Sequence, residues 1–325
     1  MKVAVVGAGV MGCATAWALS ERGAEVTVHE QFGLDHDRGS SHGRTRIFRV
    51  AYPEAYWVRF AQEAYAGWNE LDPSLLGLYG LIELVAEPAL TSARALDECG
   101  VPYWLLDRDE VLAHGAVLPD GWTALHVGDA GVVFAERARH AFLESAGVEV
   151  ETNRRIESTD ELDADVVVVT AGSWIRDLVP DVPVTVTRET VAYFKREGPP
   201  PPSIVDLDAE TGGHGMYSLS DPVHGLKAGA HHAGPEADPD TEEPPDPAIV
   251  QRIASWVSER FPDVDPEPVE AQSCLYTTTA DEHFVLERRG RVVLGSACSG
   301  HGFKFAPAVG RRLAELALAG ENPTS

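Results

Sequence analysis

The stretch "VAVVGAGVMGCATAWALSERGAEVTVHE", residues 3–30, decides the fold. Val3 to Val6 reads as a buried strand. Gly7, Gly9 and Gly12 give the spacing GxGxxG. A helix follows, with Met11, Ala14, Ala18 and Leu19 on one face, and Gly23 stops it. Val26 and Val28 mark a second strand, which runs out at Glu30. This is a βαβ unit with a physical role for each glycine. Gly7 allows the tight turn, Gly9 lets the backbone approach a pyrophosphate, and Gly12 lets helix and strand pack closely. The pyrophosphate rests on the helix N-terminus and Glu30 takes the ribose hydroxyls. The unit therefore predicts dinucleotide binding.

Working outward, "RGSSHGRTRIFRVAY" (38–52) follows, with Arg38, Arg44, Arg46 and Arg49 and no acid among them. In a chain of net charge -25 that local positive field is unusual. It suits an anionic cofactor edge or a substrate carboxylate. The acidity itself excludes nucleic acid and anionic membranes as partners. Trp57, Tyr65 and Trp68 lie on an expected helix and read as core. "GVVFAERARHAFLESAGVEVET" (131–152) reads as a helix, with Phe134, Ala138, Ala141 and Phe142 as its apolar face, then a strand. "ADVVVVTAGSW" (164–174) reads as a buried strand ending at Ala171 and Gly172, a second glycine turn beside the nucleotide. Strands separated by long insertions predict one nucleotide domain assembled from distant segments.

"EGPPPPS" (197–203) and "GPEADPDTEEPPDP" (234–247) read as surface connections. "YSLSDPVHGLKAGAHH" (217–232) has strand-like pieces around Lys227. Ile249, Ile253, Trp256 and Val257 mark an amphipathic helix. The C-terminal "VVLGSACSGHGFKFAPAVGRRLAELALAG" (292–320) predicts a buried strand, a turn through Gly300 and Gly302, and a helix starting near Pro307. Val309, Leu313, Leu316 and Ala317 form that helix's buried face and Gly320 ends it. A second helix N-terminus thus points at a glycine loop, which favours a ligand carrying negative charge.

The 325 residues suffice for two domains, or for one large one. No apolar run is long enough to span a membrane and no signal peptide precedes the first strand, so the cytoplasm is expected. Cys13, Cys99, Cys274 and Cys298 form no CxxC pair, which fits a reduced compartment and argues against zinc. In "CLYTTTADEHF" (274–284), Cys274 could be a buried small hydrophobe, a thiol nucleophile or an attachment point. Only four of the 26 basic residues are lysines, Lys2, Lys195, Lys227 and Lys304. The last two sit in apolar, glycine-flanked settings, "GLKAG" and "GFKF". Either they snorkel to solvent or a compact ammonium is required there.

Taken together, "GAGVMG", "SSHGRTRIFRVAY", "GLKAGAHH", "CLYTTTADEHF" and "SGHGFKF" resemble the monomeric sarcosine oxidase family of FAD-dependent amine oxidases, in the D-amino-acid-oxidase-like group. The matches run from the first residues almost to the last, and the final two are the most specific. The chain is shorter than typical members, through trimming between "VETNRRIES" and "ADVVVV". The resemblance implies an α/β fold: a Rossmann-like FAD-binding domain of glutathione-reductase type with an inserted mixed-sheet α+β substrate domain. The expected division is 1–80, 129–182 and 275–325 for FAD, and 81–128 and 183–274 for substrate.

It also implies oxidation of a small secondary amine, an N-methyl or cyclic amino acid, to an imine, with oxygen reduced to hydrogen peroxide. Cys274 matches the family cysteine that carries FAD through a thioether, and Tyr276 shares its strand face. Arg49 and Lys304 match the substrate-carboxylate clamp. His301, Lys304 and the C-terminal helix end are expected to place positive charge near the flavin pyrimidine. Lys227 matches the lysine near flavin N5 that helps oxygen accept an electron. His231 and Tyr217 match active-site residues. His42 and Arg46 match residues lining the flavin, and Ser40 and Thr45 of the same segment join the cofactor set. No metal is expected, and a monomer is. Two alternatives remain: a dehydrogenase passing electrons to a protein acceptor, and a catalytically silent flavoprotein subunit.

Overall fold

The computed structural model describes residues 1–86, 91–207 and 215–319. Their strands form three sheets. The first has six strands in the order β16 (Val285–Arg289), β17 (Val292–Ser296), β10 (Val166–Val169), β1 (Lys2–Val6), β2 (Glu25–His29) and β9 (Glu149–Glu151). From β17 to β9 every pairing is parallel, and only β16 is antiparallel. The second has eight strands: β15 (Glu270–Thr279), β11 (Val184–Lys195), β14 (Gly225–Ala230), β13 (Met216–Asp221), β12 (Ser203–Leu207), β5 (Leu81–Val85), β7 (Thr123–Val127) and β6 (Trp104–Leu106). It is antiparallel except where β12 meets β5. A small third sheet joins β3 (Thr45–Phe48), β8 (Gly131–Phe134) and β4 (Leu76–Gly77).

The helices are α1 (Val10–Ser20), α2 (Ala55–Leu71), α3 (Ala93–Cys99), α4 (Arg108–Ala113), α5 (Ala135–Ala146), α6 (Ile175–Leu178), α7 (Pro247–Arg260) and α8 (Ala306–Leu318). Helix α1 is buried on every side from Val10 to Leu19, because α5 and α8 pack against it as well as the parallel sheet. The single apolar face expected from its pattern is therefore too narrow a description. Gly23, at φ +74°, turns the chain into β2 as expected. Helix α7 begins where Asp246 accepts from the amides of Ala248 (2.7 Å) and Ile249 (3.4 Å), with Pro247 in the first turn.

Two expectations change. Phe134 closes strand β8 and precedes α5, so it is not on the helix's apolar face. Gly131, at φ +148°, starts that strand against the Gly77 carbonyl, a contact its sequence context did not reveal. The boundary expected between 274 and 275 falls inside β15, whose whole length pairs with β11 in the eight-stranded sheet. Gly320 lies outside the described residues. Among the described residues no helix is long and apolar enough to cross a membrane, and no cluster could hold a metal ion. All four cysteines are free.

Candidate active site

One cavity of about 710 Å³ runs from the carboxyl ends of β1 and β2 to the face of the eight-stranded sheet. Its first end is the glycine turn. Gly7 has φ +101°, and a Cβ there would meet the Thr170 carbonyl oxygen at 2.6 Å. A Cβ on Gly12 would lie 1.8 Å from the Gly7 oxygen, so only glycine permits this approach of helix to strand. Gly7 and Gly9 line the cavity; Gly12 lies behind them, as its packing role requires. Glu30 is buried, and its two oxygens accept the amides of Ala8 (2.8 Å) and Phe32 (2.9 Å). Each oxygen retains a lone pair for a ribose hydroxyl. Ser41, which the sequence reading passed over, accepts the Val10 amide at 3.0 Å. Its O–H stays available as a donor beside the α1 N-terminus, where a phosphate is favoured. Ala171 and Gly172 complete this end. The donor set and the glycine cradle fit a dinucleotide.

The middle of the cavity is built by the segment 38–49 lying against β15. Ser40 donates its hydroxyl to the Leu275 carbonyl, and the Leu275 amide donates to Gly39 at 3.1 Å. Arg46 donates to the carbonyls of Ser40 (3.0 Å), His42 (2.6 Å) and Thr45 (2.9 Å). Thr45 is fully buried, and its hydroxyl donates to Ser220 at 3.0 Å. Of the four arginines expected to form a positive field, Arg44 is held by Asp221 (2.7 Å) and Glu270 (3.0 Å), off the cavity. It joins this loop to the large sheet. His42, expected on the flavin wall, stands behind it. Its Nε2 is buried without a hydrogen-bond partner. Burial, with Arg46 and Lys227 nearby, pushes its imidazole down to about 3, so it is neutral. Cys274 lies on the wall; burial raises its thiol, and Arg46 and Lys227 oppose that. Cys298 lines the same cavity, 3.8 Å from the Ser40 hydroxyl.

Lys227 and Lys304 do not snorkel: each residue is only 4% exposed. Lys227 reaches the Thr45 carbonyl at 3.2 Å and sits 5.7 Å from the Tyr193 ring centre. Burial, then Arg46, lowers it to about 7. Lys304 donates to the His301 carbonyl at 2.5 Å, and burial drives it well below the usual lysine range. Arg49 stacks 4.3 Å from the Tyr52 ring centre and faces Glu83 at 3.7 Å. His301 is packed among aromatic rings, 4.8 Å from Trp57. Burial, then Lys304, pushes it down to about 3. It therefore carries no charge at neutral pH, contrary to its expected part in a positive field.

Tyr276 Oη approaches His231 Nδ1 at 3.5 Å, and the Tyr217 ring lies 6.4 Å from His231. Both phenols are raised by burial and stay protonated. Gly229 lets Tyr217 in, since a Cβ there would meet its hydroxyl at 2.5 Å. Gly300, at φ +69°, does the same for His231 and Tyr276. Gly302 also lines the cavity. Tyr52, Trp57 and Trp174 line it too, and sequence periodicity could not separate them from core aromatics.

A pyrophosphate cradle joined to a buried cationic pocket on an antiparallel sheet defines a flavin-dependent oxidoreductase. The family model described as FAD dependent oxidoreductase matches residues 2–316. Human peroxisomal sarcosine oxidase is 32% identical over 97% of this chain and 91% of its own length. Monomeric sarcosine oxidase from Bacillus sp. (strain B-0618) is 30% identical over 98% of this chain and 92% of its own. The fold matches NikD, an unusual amino acid oxidase essential for nikkomycin biosynthesis, at TM-score 0.84 and 22% identity, covering 99% of this chain and 95% of NikD. L-proline dehydrogenase from P. horikoshii matches at TM-score 0.83 and 18% identity, covering 98% and 93%. The chain belongs to the sarcosine oxidase family of FAD-dependent amine oxidases.

Proposed function

We propose that the protein oxidises a small secondary amino acid, N-methylated or cyclic, to its imine, with oxygen as acceptor and hydrogen peroxide as product. One observation carries this reading: Arg49 and Lys304, with Tyr52 beside both, lie on the same cavity wall system as Lys227, His231, Tyr217 and Tyr276. FAD, when bound, would supply the redox chemistry: two electrons leave the substrate's CH–NH group, which loses its C–H and N–H hydrogens as C=N forms, and these electrons with two protons reduce oxygen to hydrogen peroxide. The chain does the rest. Arg49 and Lys304 bind the substrate carboxylate, each by charge-assisted hydrogen bonds. The same cations disfavour a protonated amine and so favour the reactive neutral form. His231, Tyr217 and Tyr276 orient the amine. Lys227 offers a positive charge to reacting oxygen in a site shielded from water.

Cys274 is the residue we assign to a thioether with the flavin, and Ser40, Thr45, Arg46 and His42 to building its pocket. Sheet membership supports a division in which the substrate domain takes 81–128 and 183–279. The relatives named monomeric support a monomer. A peroxide-release screen across sarcosine, N-methyl aromatic amino acids, pipecolate, proline and fructosyl amino acids tests the activity. Turnover with an artificial electron acceptor but without peroxide would establish the dehydrogenase instead. No reduction by any amine would leave the silent flavoprotein subunit.

A further inference from the structure

Strand β5, "LIELV", is buried at every position, yet its centre is an acid. Glu83 is 0% exposed. Ile82 and Leu84 point into the apolar cluster beneath α7, while Leu81 belongs to the cluster on the other side. Alternation puts Glu83 on the Leu81 face, among apolar side chains. A carboxylate is costly there unless it is paired.

Its partners are specific. Ser92 donates its hydroxyl to one carboxylate oxygen at 2.8 Å and its amide to the other at 3.3 Å. Arg49 Nη1 stands 3.7 Å from the first oxygen. Ser92 is itself fully buried, so the carboxylate is fixed from behind. Burial pushes the Glu83 carboxyl up, while Arg49 and Ser92 pull it back towards the ionised form. The ion pair is longer than a hydrogen bond. Arg49 is therefore electrostatically balanced by Glu83 without spending its N–H groups on it. Arg49 lines the cavity and Glu83 does not. Lys304, the other cation at this end, has no carboxylate partner among the described residues; its amine donates to a carbonyl.

We propose that Glu83 is a specificity-determining residue that sets the charge of the carboxylate clamp, cancelling one of its two cations so that the pocket accepts substrates with one carboxylate and rejects those with two. This rests on the proposed clamp of Arg49 and Lys304. An arriving carboxylate opposes the burial that lowers Lys304 and so favours its ammonium form. A monocarboxylate then brings one negative charge to a site with one net positive charge. A dicarboxylate leaves its second charge buried with no cation to balance it, because Glu83 behind Arg49 has already offset that guanidinium, and in a low-dielectric pocket the two negative charges repel. The class of substrate is thus a monocarboxylic amino acid, and iminodiacids are excluded.

The test uses calorimetric titration of the purified yellow holoprotein with propionate and malonate, which lack an amine and cannot turn over. Wild type should bind propionate at least tenfold more tightly than malonate. Glu83→Gln, or Glu83→Met if the glutamine variant does not fold, should shift that ratio at least fivefold towards malonate. In an Arg49→Met background the Glu83 change should shift it less than twofold. Malonate binding wild type as tightly as propionate overturns the proposal without any variant. An unchanged ratio in the Glu83 variant overturns it as well. If amines release peroxide yet the ratio stays unchanged, only Glu83's role fails; if neither acid binds and no amine reacts, the functional reading fails with it.

Discussion

Lys227 and Arg46 donate to the same acceptor. The Thr45 carbonyl oxygen takes Arg46 Nη1 at 2.9 Å and Lys227 Nζ at 3.2 Å. Two cations on one oxygen, in a buried site, leave one proton easily lost. Arginine keeps its charge, so lysine yields. Burial first, and then the neighbouring Arg46 charge, places Lys227 at about 7, where small changes of pH alter its charge.

That position gives a kinetic prediction. Replacing Lys227 by Met keeps the length and apolar bulk and deletes the charge. Reoxidation by oxygen should slow at least ~100-fold, about 2.7 kcal/mol of transition-state stabilisation. Reduction by substrate should fall much less. In wild type the oxygen reaction should slow as pH rises through about 7, because the ammonium is lost there. Stopped-flow measurement of each half-reaction separates the two effects. Near-wild-type reoxidation in Lys227→Met would move oxygen activation elsewhere, with Lys304 next in line.

Covalent attachment has a simple readout. Acid-precipitated holoprotein matured in air should keep its yellow colour, and Cys274→Ser should release the flavin to the supernatant. Cys298→Ala is the control, because Cys298 lines the same cavity, and it should keep the colour in the pellet. Colour lost from wild type, or retained in Cys274→Ser, removes Cys274 from this role.

Arg49→Ala should weaken carboxylate inhibitors by roughly 2 to 5 kcal/mol, as when one partner of a buried charge pair is removed. The loss has a second source in this chain: Glu83 is left without its cation. A fall in thermal stability should therefore accompany the loss of affinity. Unchanged inhibitor binding takes Arg49 out of the site.

His42 and His301 are both held neutral, at about 3. Unfolded histidine titrates near 6.5. Between those values the unfolded chain binds more protons, so stability rises with pH there and is lost as pH falls below ~6.5. Each buried histidine should cost about 2 kcal/mol between pH 6.5 and 5. Denaturant titrations at those two pH values should show a smaller loss for His42→Asn than for wild type.

Gly12→Ala should abolish flavin binding or folding, because its Cβ would need the space of the Gly7 carbonyl, 1.8 Å away. A yellow, stable Gly12→Ala protein would show that α1 can shift.

What the sequence determined by itself was local chemistry and connectivity. Residues 3–30 dictate a βαβ unit through period, glycine spacing and the acidic strand end, all set within one short segment. Lys227 and Lys304 stood out because a chain rich in arginine used lysine there, and both are buried. What only the tertiary structure decided were pairings between distant segments. Glu83 reads as a lapse in an apolar strand until Arg49 and Ser92 close on it. Arg44 looks like its neighbours until Asp221 and Glu270 claim it. His301 reads as a cation until a shell of aromatic rings makes its charged form too costly. Charge state and partner choice depend on desolvation and on groups far away in sequence, and both come into being only when the chain has folded.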